Sequence, residues 1–411
     1  MAKMEKVKPE ISICIPTFNR ASHLNFMLEN LCKQSLLCDL KYEILISDNA
    51  STDDTQEIIS NWRCRLPIRS FKQEKNIGGV ANTFFLFEQA SAEFTVYVAD
   101  DDYVDMLQLV SCLRDAQSMP NVGVIYTPWK IGTPDSPNNK QFYNHPNDFL
   151  IKKGNFPDLL SIILKFHIFP EIFIFRSKFF LELLPLTKEN IVFDYFSVIS
   201  ECLNSFDIFF STKVFYTSVT QHPAGARIQT GNEQAKFMWD SYRGGLELLL
   251  GHSIKLISSN AVQNFRENIN SFVAIRLSVA IRLRVVDKSD RIETYLLACR
   301  LRGLGFENLL PIPFEQICIR AAFEYVAQRT SGKNLQATVL LGDFDEKIRK
   351  FLIDEYNFVN VKIVSELTEN IKNSIVFFRS NKSNNSWTNN MIDSNGNYYF
   401  SESFLMNVKF K

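Results

Sequence analysis

The sequence predicts an α/β protein, built around a mainly parallel sheet flanked by helices and continued by a helical region and a small α/β unit. Short apolar runs of strand length alternate with stretches whose apolar residues have helical spacing. Strands separated by helices of this length indicate parallel pairing with right-handed crossovers. In addition, polar clusters directly follow three of the predicted strands, which is where ligands bind in open α/β sheets.

The first part of the chain alternates strands and helices. The predicted strands are, in order, EISICIPTF, YEILISD, IRSFKQE, FTVYVA and VGVIYTPW. The predicted helices between them are ASHLNFMLENLCKQ, a segment from about Thr52 to Trp62 with Ser51 or Thr52 as its N-cap, GGVANTFFLFEQAS and DMLQLVSCLRDAQ.

The second part is more irregular. Residues 130–155 are rich in Pro, Asn, Asp and Lys and predict a surface excursion. Two further strands, EIFIFRS and DIFFSTKVFYTS, flank a helix from about Asp194 to Leu203. A helical region follows from about Glu233 to Thr330, and strands alternate with helices again in the tail from Asn334. We therefore predict three domains, at residues 1–232, 233–332 and 333–411.

Composition excludes several classes of protein. The 411 residues can form two or three domains, and a net charge of zero gives no general attraction to nucleic acid. No run of 18 apolar residues is present, so we expect no membrane span. The first residues lack the apolar core of a signal peptide, and the eight cysteines form no CxxC pair. We therefore expect a protein of the reducing cytoplasm.

Three consecutive carboxylates, Asp100, Asp101 and Asp102, follow the strand FTVYVA. Like charges at the end of a buried strand repel one another and lose solvation, so a positive partner is expected there. Oxygen ligands of this kind suit Mg²⁺ or Mn²⁺. The alternative is a solvated acidic turn ahead of the helix that begins in YVDMLQL.

Three other polar clusters accompany this triplet: PTFNR, DNAS and KNIGGVAN. Asp48 could accept hydrogen bonds from a nucleobase, although an Asx-turn leading into a capped helix would use Asn49 and Ser51 equally well. Gly78 and Gly79 allow the backbone to approach a ligand at a helix N-terminus. Because the carboxyl ends of parallel strands share one edge, the strand-end clusters should converge there.

Together the segments ISICIPTFNR, YEILISDNASTDDT, KNIGGVANTFFL and YVADDDYVD resemble the successive motifs of family 2 glycosyltransferases with the GT-A fold. The resemblance is close over about residues 10–125 and extends loosely to about residue 230. It is strongest to bacterial enzymes that build lipopolysaccharide O-antigens or capsules. It implies transfer of a sugar from a nucleotide diphosphate donor, with inversion and with Mn²⁺ or Mg²⁺. UDP is the expected donor nucleotide because it is the usual one in the family, and CDP and dTDP remain alternatives.

The resemblance also implies roles for individual residues. Asp48 would pair with the uracil edge. The metal ligand would be Asp101 if Tyr103 is the aromatic of the family motif, or Asp102 in the other register; we favour Asp101, because Ala99 reads as the last strand residue. His222 would lie near the metal or the diphosphate, although a lone histidine is more often structural than a ligand. The nucleotide-sugar would be bound by Pro16, Thr17, Asn19, Arg20, Asp48, Asn49, Ser51, Asn76, Gly78, Gly79, Asn82, Asp100 and, from a loop that could close over the donor, Arg227.

Transfer to a hydroxyl also requires a general base, usually a carboxylate. In the family this base lies at the start of a helix, and ENIVFDYFSVISECL places Asp194 there. A plain helix N-cap is the alternative. Many relatives carry Glu-Asp at this point, where this chain has Phe193 and Asp194. Glu201 in the same helix is a weaker candidate.

The partners implied are a nucleotide-sugar donor and a glycan or lipid-linked saccharide acceptor. The segment INSFVAIRLSVAIRLRVV could lie on a membrane surface, but a packed helix with arginines at its borders is favoured. The tail could be an interaction or dimerisation element. A catalytically silent nucleotide-sugar binder or scaffold is the main functional alternative. A nucleotidyltransferase is disfavoured, because no Gly-rich basic loop follows the first strand.

Overall fold

The computed structural model describes residues 8–133, 136, 139–180, 192–220, 222–225, 235–356, 358–367, 371–379 and 391–401. The chain divides into two compact units. The first contains Met1–Glu233 and Asp240–Phe272, and the second contains Gln234–Trp239 and Val273–Lys411. The division into three domains stays a prediction, because compactness does not test whether residues 233–332 and 333–411 fold separately.

The elements alternate in the first unit and become mostly helical after it. In chain order the strands are β1 (Ile11–Thr17), β2 (Tyr42–Asp48), β3 (Ile68–Lys72), β4 (Phe94–Tyr97), β5 (Tyr103–Val104), β6 (Val122–Tyr126), β7 (Lys130–Gly132), β8 (Lys140–Gln141), β9 (Phe149–Ile151), β10 (Phe173–Arg176), β11 (Asp207–Phe210), β12 (Tyr216–Val219), β13 (Ala337–Leu341), β14 (Val361–Val364), β15 (Ser374–Phe378), β16 (Met391–Ile392) and β17 (Tyr398–Ser401). The α-helices are α1 (Ala21–Ser35), α2 (Thr55–Trp62), α3 (Gly79–Gln89), α4 (Met106–Ser118), α5 (Phe156–Phe166), α6 (Ser177–Phe180), α7 (Asp194–Ser205), α8 (Trp239–Ser253), α9 (Ser259–Asp287), α10 (Arg291–Gly303), α11 (Phe314–Thr330) and α12 (Glu346–Tyr356).

The large sheet of the first unit has the order β3-β2-β1-β4-β10-β6-β11-β9. The first four strands pair in parallel, as the alternation of strands and helices predicted. Strand β10 enters between β4 and β6 and is antiparallel to both. Residues 11–15 of β1 are all fully buried, because helices cover both faces of a parallel sheet. The predicted α/β fold class is confirmed.

Two predictions in this unit are wrong. DIFFSTKVFYTS is not one strand: it forms β11 of the large sheet and β12 of a second sheet with the order β5-β12-β7-β8. The chain turns between them, where the backbone N–H and the hydroxyl of Thr212 both donate to Asp148, at 2.7 and 2.8 Å. Residues 130–155 are also not a plain surface excursion. Tyr143 and His145 are buried there, and Phe142 stacks on Trp129 with ring centroids 4.6 Å apart.

The second unit contains the predicted small α/β module. Its sheet has the order β14-β13-β15-β17-β16, with parallel pairing from β14 through β17. Phe323, Phe377 and Phe400 lie in its buried core. The sequence pattern missed β16 and β17. Within the described residues, no helix combines the length and the apolar character needed to cross a membrane. None of the eight cysteines forms a disulfide.

Candidate functional site

The carboxyl ends of three neighbouring parallel strands form one rim. Thr17 at the end of β1 is in register with Asp48 at the end of β2, and β4 lies on the other side of β1. The hydroxyl of Thr17 donates to Asp100 at 2.7 Å, and the backbone N–H of Asn49 donates to the Thr17 carbonyl at 2.9 Å. The structure therefore brings the three strand-end clusters together.

Arg20 is the positive partner of the aspartate triplet. Its Nη1 lies 3.0 Å from Asp100 Oδ1 and 2.6 Å from Asp101 Oδ2. The two carboxylate side chains are 5% and 2% exposed, whereas Arg20 is 29% exposed. Burial raises the pKa of Asp100, although Arg20 and the Thr17 hydroxyl oppose that shift. The ion pairs therefore hold two buried carboxylates together through one partly exposed guanidinium group.

Asp102 faces a different set of partners. Its carboxylate accepts a hydrogen bond from the Tyr216 hydroxyl at 2.6 Å and one from the Val219 backbone N–H at 2.8 Å. Both donors belong to β12, so Asp102 ties the end of β4 to the second sheet. Burial raises its pKa to about 6, and the hydrogen bond from Tyr216 opposes the rise. This carboxylate is a structural tether within the described chain.

The loops after β1 and β2 support each other. Asn19 has a left-handed backbone with φ of 52°, its N–H donates to the Ser51 hydroxyl at 2.8 Å, and its side chain accepts from the Thr52 N–H at 2.8 Å. Asp48 is fully buried and accepts from the Ser51 N–H at 2.8 Å and the Gln56 side-chain amide at 2.5 Å. A base edge could reach this carboxylate only if the Gln56 amide released it.

The KNIGGVAN segment joins the same rim. The Asn49 side chain donates to Asn76 at 2.9 Å and accepts from the Ile77 backbone N–H at 2.9 Å. Gly78 has φ of 89°, a conformation that favours glycine, and α3 begins at the next residue. Asn82 is 1% exposed and holds Ser47 through bonds of 2.6 and 2.9 Å. It thus supports the end of β2 from inside the protein.

His222 packs against His23, a histidine to which the sequence analysis assigned no role. Its ring centroid lies 4.4 Å from that of His23, in the first turn of α1, and 4.8 Å from that of Phe26. The Ala224 backbone N–H donates to His222 Nδ1 at 3.1 Å, so the neutral ring carries its proton on Nε2. That Nε2 is buried and has no hydrogen-bond partner among the described residues. Burial, with His23 and Arg20 nearby, lowers the pKa of His222 to about 4.

Asp194 is the first residue of α7, and Phe193 occupies the N-cap position. Phe193 is fixed by its N–H, which donates to the Ser241 carbonyl at 3.0 Å, and by ring stacking on Tyr242 at 4.4 Å. No hydrogen bond or ion pair joins the half-buried Asp194 carboxylate to another described residue, so it does not cap the helix. Burial raises its pKa. Glu201, in contrast, is exposed on the same helix.

Tyr97 connects the start of α7 with the rim. This last residue of β4 interacts electrostatically with Tyr195 and also with Asp100 and Asp102, while Tyr195 interacts with Asp194. The link between Asp194 and the aspartate triplet thus runs through Tyr195 and Tyr97. Arg227 lies outside the described residues.

A divalent cation fits the chemical character of this rim. Within the described ranges, no group of three or more His, Cys, Asp or Glu side chains is arranged to hold a metal. Mg²⁺ and similar ions, however, are commonly held by one or two carboxylates together with substrate phosphate oxygens. Asp100 and Asp101 are such carboxylates. The donor set suits a cation that arrives with a phosphorylated ligand better than one held by the protein alone.

Comparison with known proteins finds a family match within the first unit. Residues 12–180 match the model described as Glycosyl transferase family 2. Abequosyltransferase RfbV of Salmonella typhimurium is 35% identical over 112 residues, which cover 26% of this chain and 33% of that protein. Poly(ribitol-phosphate) beta-N-acetylglucosaminyltransferase TarS of Staphylococcus aureus is 30% identical over 97 residues, which cover 23% of this chain and 17% of TarS.

A crystal structure of S. aureus TarS 1–349 in complex with UDP-GlcNAc aligns over 77% of this chain and 92% of that chain, at 16% identity and a TM-score of 0.43. The two sequence matches span a third or less of the length of those relatives. The matched segment of this chain, residues 12–180, contains the aspartate triplet and the loops after β1 and β2. Residues 12–180 of this chain are therefore similar to family 2 of the glycosyl transferases.

Proposed function

We propose that the protein is an inverting glycosyltransferase that moves a sugar from a nucleotide diphosphate donor to a hydroxyl of a surface glycan or lipid-linked saccharide. The observation that carries the proposal is the bridge from Arg20 to Asp100 and Asp101 at the carboxyl ends of β1 and β4. A diphosphate with its cation would exchange with this bridge, since Arg20 would then pair with phosphate and the carboxylates with the cation.

The donor would lie along the rim. The loop after β1, fixed by Asn19 and Ser51, and the start of α3 at Gly79 would face the nucleotide. Backbone N–H groups at a helix N-terminus favour phosphate oxygens. Asp48 and Asn49 would shape the base pocket, with Gln56 acting as the group that yields to the base. UDP is the proposed donor nucleotide, in keeping with the resemblance of the motifs.

Asp101, with Asp100, would hold Mn²⁺ or Mg²⁺. When bound, the cation neutralises charge on the leaving diphosphate. Asp102 has a different proposed part, because both of its oxygens already accept hydrogen bonds from β12. It would position the aspartate turn. His222 would donate its Nε2–H to a phosphate oxygen, since the bond that Nδ1 accepts leaves the proton on Nε2.

Asp194 would be the general base. As the acceptor oxygen attacks the anomeric carbon, its proton passes to the Asp194 carboxylate, and the bond between that carbon and the diphosphate oxygen breaks. The electron pair of this bond leaves with the nucleoside diphosphate. Attack from the face opposite the leaving group inverts the anomeric carbon. A carboxylate with a raised pKa and no competing hydrogen bond from a described residue is suited to accept a proton.

The acceptor class follows from the relatives. One relative is named an abequosyltransferase, and the other is named a transferase of N-acetylglucosamine to poly(ribitol-phosphate). We infer that this chain acts on a comparable acceptor. We also infer that the protein is cytoplasmic and contacts the membrane peripherally, and that its C-terminal module takes part in self-association.

The first test is calorimetric titration of UDP, GDP, CDP and dTDP with and without Mn²⁺. The proposal expects one nucleotide to bind with metal dependence and Asp101→Ala to abolish that dependence. Asp54→Ala is the matched control, because Asp54 is exposed in the loop before α2 and makes no capping hydrogen bond. If no nucleotide binds under either condition, the transferase mechanism is wrong and a scaffold function takes its place.

A further inference from the structure

A cleft in the second unit is lined by four cationic side chains. Arg284 lies near the end of α9, Lys288 follows that helix, Arg291 begins α10, and Arg320 lies in α11. The remaining lining residues are Val285, Thr294 and Ile317, and none of the lining residues is acidic. The enclosed part of the cleft is only about 10 Å³, and the empty space reaches about 250 Å³ when the solvent at its mouth is included, so a ligand would lie at the mouth. Its wall is thus strongly positive.

Two of the guanidinium groups have N–H donors that make no hydrogen bond with a described residue. Arg284 is only 4% exposed; its Nη1 pairs with Asp290 at 2.9 Å and its Nη2 donates to the Lys236 carbonyl at 3.3 Å. Arg291 pairs through Nη2 with Glu355 at 2.6 Å. The Nε atoms of both arginines are buried and have no acceptor within the part of the chain that the structure describes. Buried N–H donors without acceptors are unfavourable, so a ligand whose oxygens reached either Nε from the cleft would be stabilised.

The cleft also has excess positive charge. Asp290 pairs with Arg284, and Glu355 is shared by Lys288 and Arg291. These two carboxylates therefore form ion pairs with three of the four cations. The Arg320 guanidinium lies 5.6 Å over the Phe351 ring and makes no ion pair with any described residue. A third carboxylate, that of Glu324, accepts from the Arg291 backbone N–H at 2.9 Å, so four lining cations against three carboxylates leave an excess of one positive charge.

We propose that this cleft binds a phosphate group, as a monoester or a diester. A phosphate offers several acceptor oxygens and up to two negative charges, which match the spare N–H donors and the charge excess. A single carboxylate would match fewer of the donors. The phosphate could come from a soluble phosphorylated compound or from a lipid headgroup, since the same oxygens are presented by both. The proposal is independent of the transferase chemistry of the first unit.

The test uses the full-length protein and titrates inorganic phosphate by calorimetry. Arg320→Gln removes the guanidinium that has no carboxylate partner, and we expect it to weaken binding at least about tenfold. Arg329→Gln is the matched control: it removes the same charge from the same helix, nine residues away and on the opposite face, about two and a half turns further on. It should leave binding unchanged. Lys288→Gln provides a second cleft variant if Arg320→Gln does not fold.

A second arm identifies the source of the phosphate. The same variants are sedimented with vesicles of phosphatidylcholine alone and with added phosphatidylglycerol. Binding to the phosphatidylglycerol vesicles that is lost in Arg320→Gln and kept in Arg329→Gln assigns the site to a lipid headgroup. Saturable binding of inorganic phosphate without vesicle binding assigns it to a soluble phosphate. The proposal is overturned if neither probe binds, or if Arg329→Gln weakens binding as much as Arg320→Gln.

Discussion

Tyr216→Phe tests whether Asp102 is a tether between the two sheets of the first unit. The substitution removes a hydroxyl that donates to the Asp102 carboxylate at 2.6 Å and leaves the buried ring in place. A hydrogen bond to a charged buried group contributes about 1.5–3 kcal/mol, so unfolding by urea at about pH 7.5 should show a loss of that size. The matched control is Tyr126→Phe, since the Tyr126 hydroxyl is buried and has no hydrogen-bond partner among the described residues. Its removal should be neutral or stabilising.

The effect of pH gives this prediction a sharper form. The folded pKa of Asp102, about 6, lies above its ordinary value of 3.8, so ionisation costs stability as the pH rises between these values. The hydrogen bond from Tyr216 lowers that pKa, and the variant should therefore lose more stability than the wild type over the same window. At about pH 5, where the folded carboxyl is mostly protonated, the cost of Tyr216→Phe should shrink to about 0.5–1.5 kcal/mol. Equal losses at both pH values, or equal losses in Tyr126→Phe, would refute the reasoning.

Three further predictions concern α7, its candidate base and the histidine pair. Gly245→Ala in α8 would place a Cβ 2.4 Å from the Phe196 ring of α7 and should lower the free energy of unfolding by about 1–3 kcal/mol, measured by thermal unfolding. Gly251→Ala, also in α8, would meet no described atom within 4 Å and should stabilise the protein slightly. Asp194→Asn should lower the transfer rate by about 10²–10⁴-fold yet leave the melting temperature at neutral pH unchanged or higher, because burial disfavours the ionised carboxylate; a matching loss of stability would point to a structural role. His222→Gln should weaken nucleoside diphosphate binding equally with and without Mn²⁺, whereas a loss confined to the metal-containing titration would make His222 a metal ligand.

The fold of residues 11–126, apart from the short strand β5, followed from the sequence because its other elements have strong local patterns. Strand β2 begins and ends where YEILISD does, and α1 extends the predicted helix by one residue. In contrast, α2 begins at Thr55 and not at about Thr52, because Asp53 binds the N–H and hydroxyl of Thr55. Local propensity thus fixed the elements, and side-chain hydrogen bonds adjusted their ends.

Long-range pairing could not be derived in the same way. EIFIFRS has the apolar pattern of a buried strand in either direction, and only tertiary packing decides that β10 runs antiparallel between β4 and β6. Polar composition also misled the interpretation of residues 130–155. The segment nevertheless packs against the protein, because the aromatic side chain of Tyr143 is buried there, next to the buried Trp129.

For the candidate site too, local sequence patterns were predictive and long-range contacts were not. Its clusters were predictable, since parallel strands bring their carboxyl ends to one edge, but the role of each carboxylate depends on its partners. Asp102 is held by two donors on β12, and Asp100 by the Thr17 hydroxyl as well as by Arg20.

Arg20 is the most solvent-exposed member of the cluster and pairs with both Asp100 and Asp101, so a ligand that drew it away would leave two buried carboxylates for a cation to neutralise. We keep Asp101 as the proposed principal ligand of that cation. If Asp101→Asn leaves stability unchanged and removes metal-dependent nucleotide binding, while Tyr216→Phe lowers stability and keeps that binding, the adjacent aspartates perform separate tasks: one faces the ligand and one holds the fold. The reverse pattern would move the ligand to Asp102 and shift the motif by one residue.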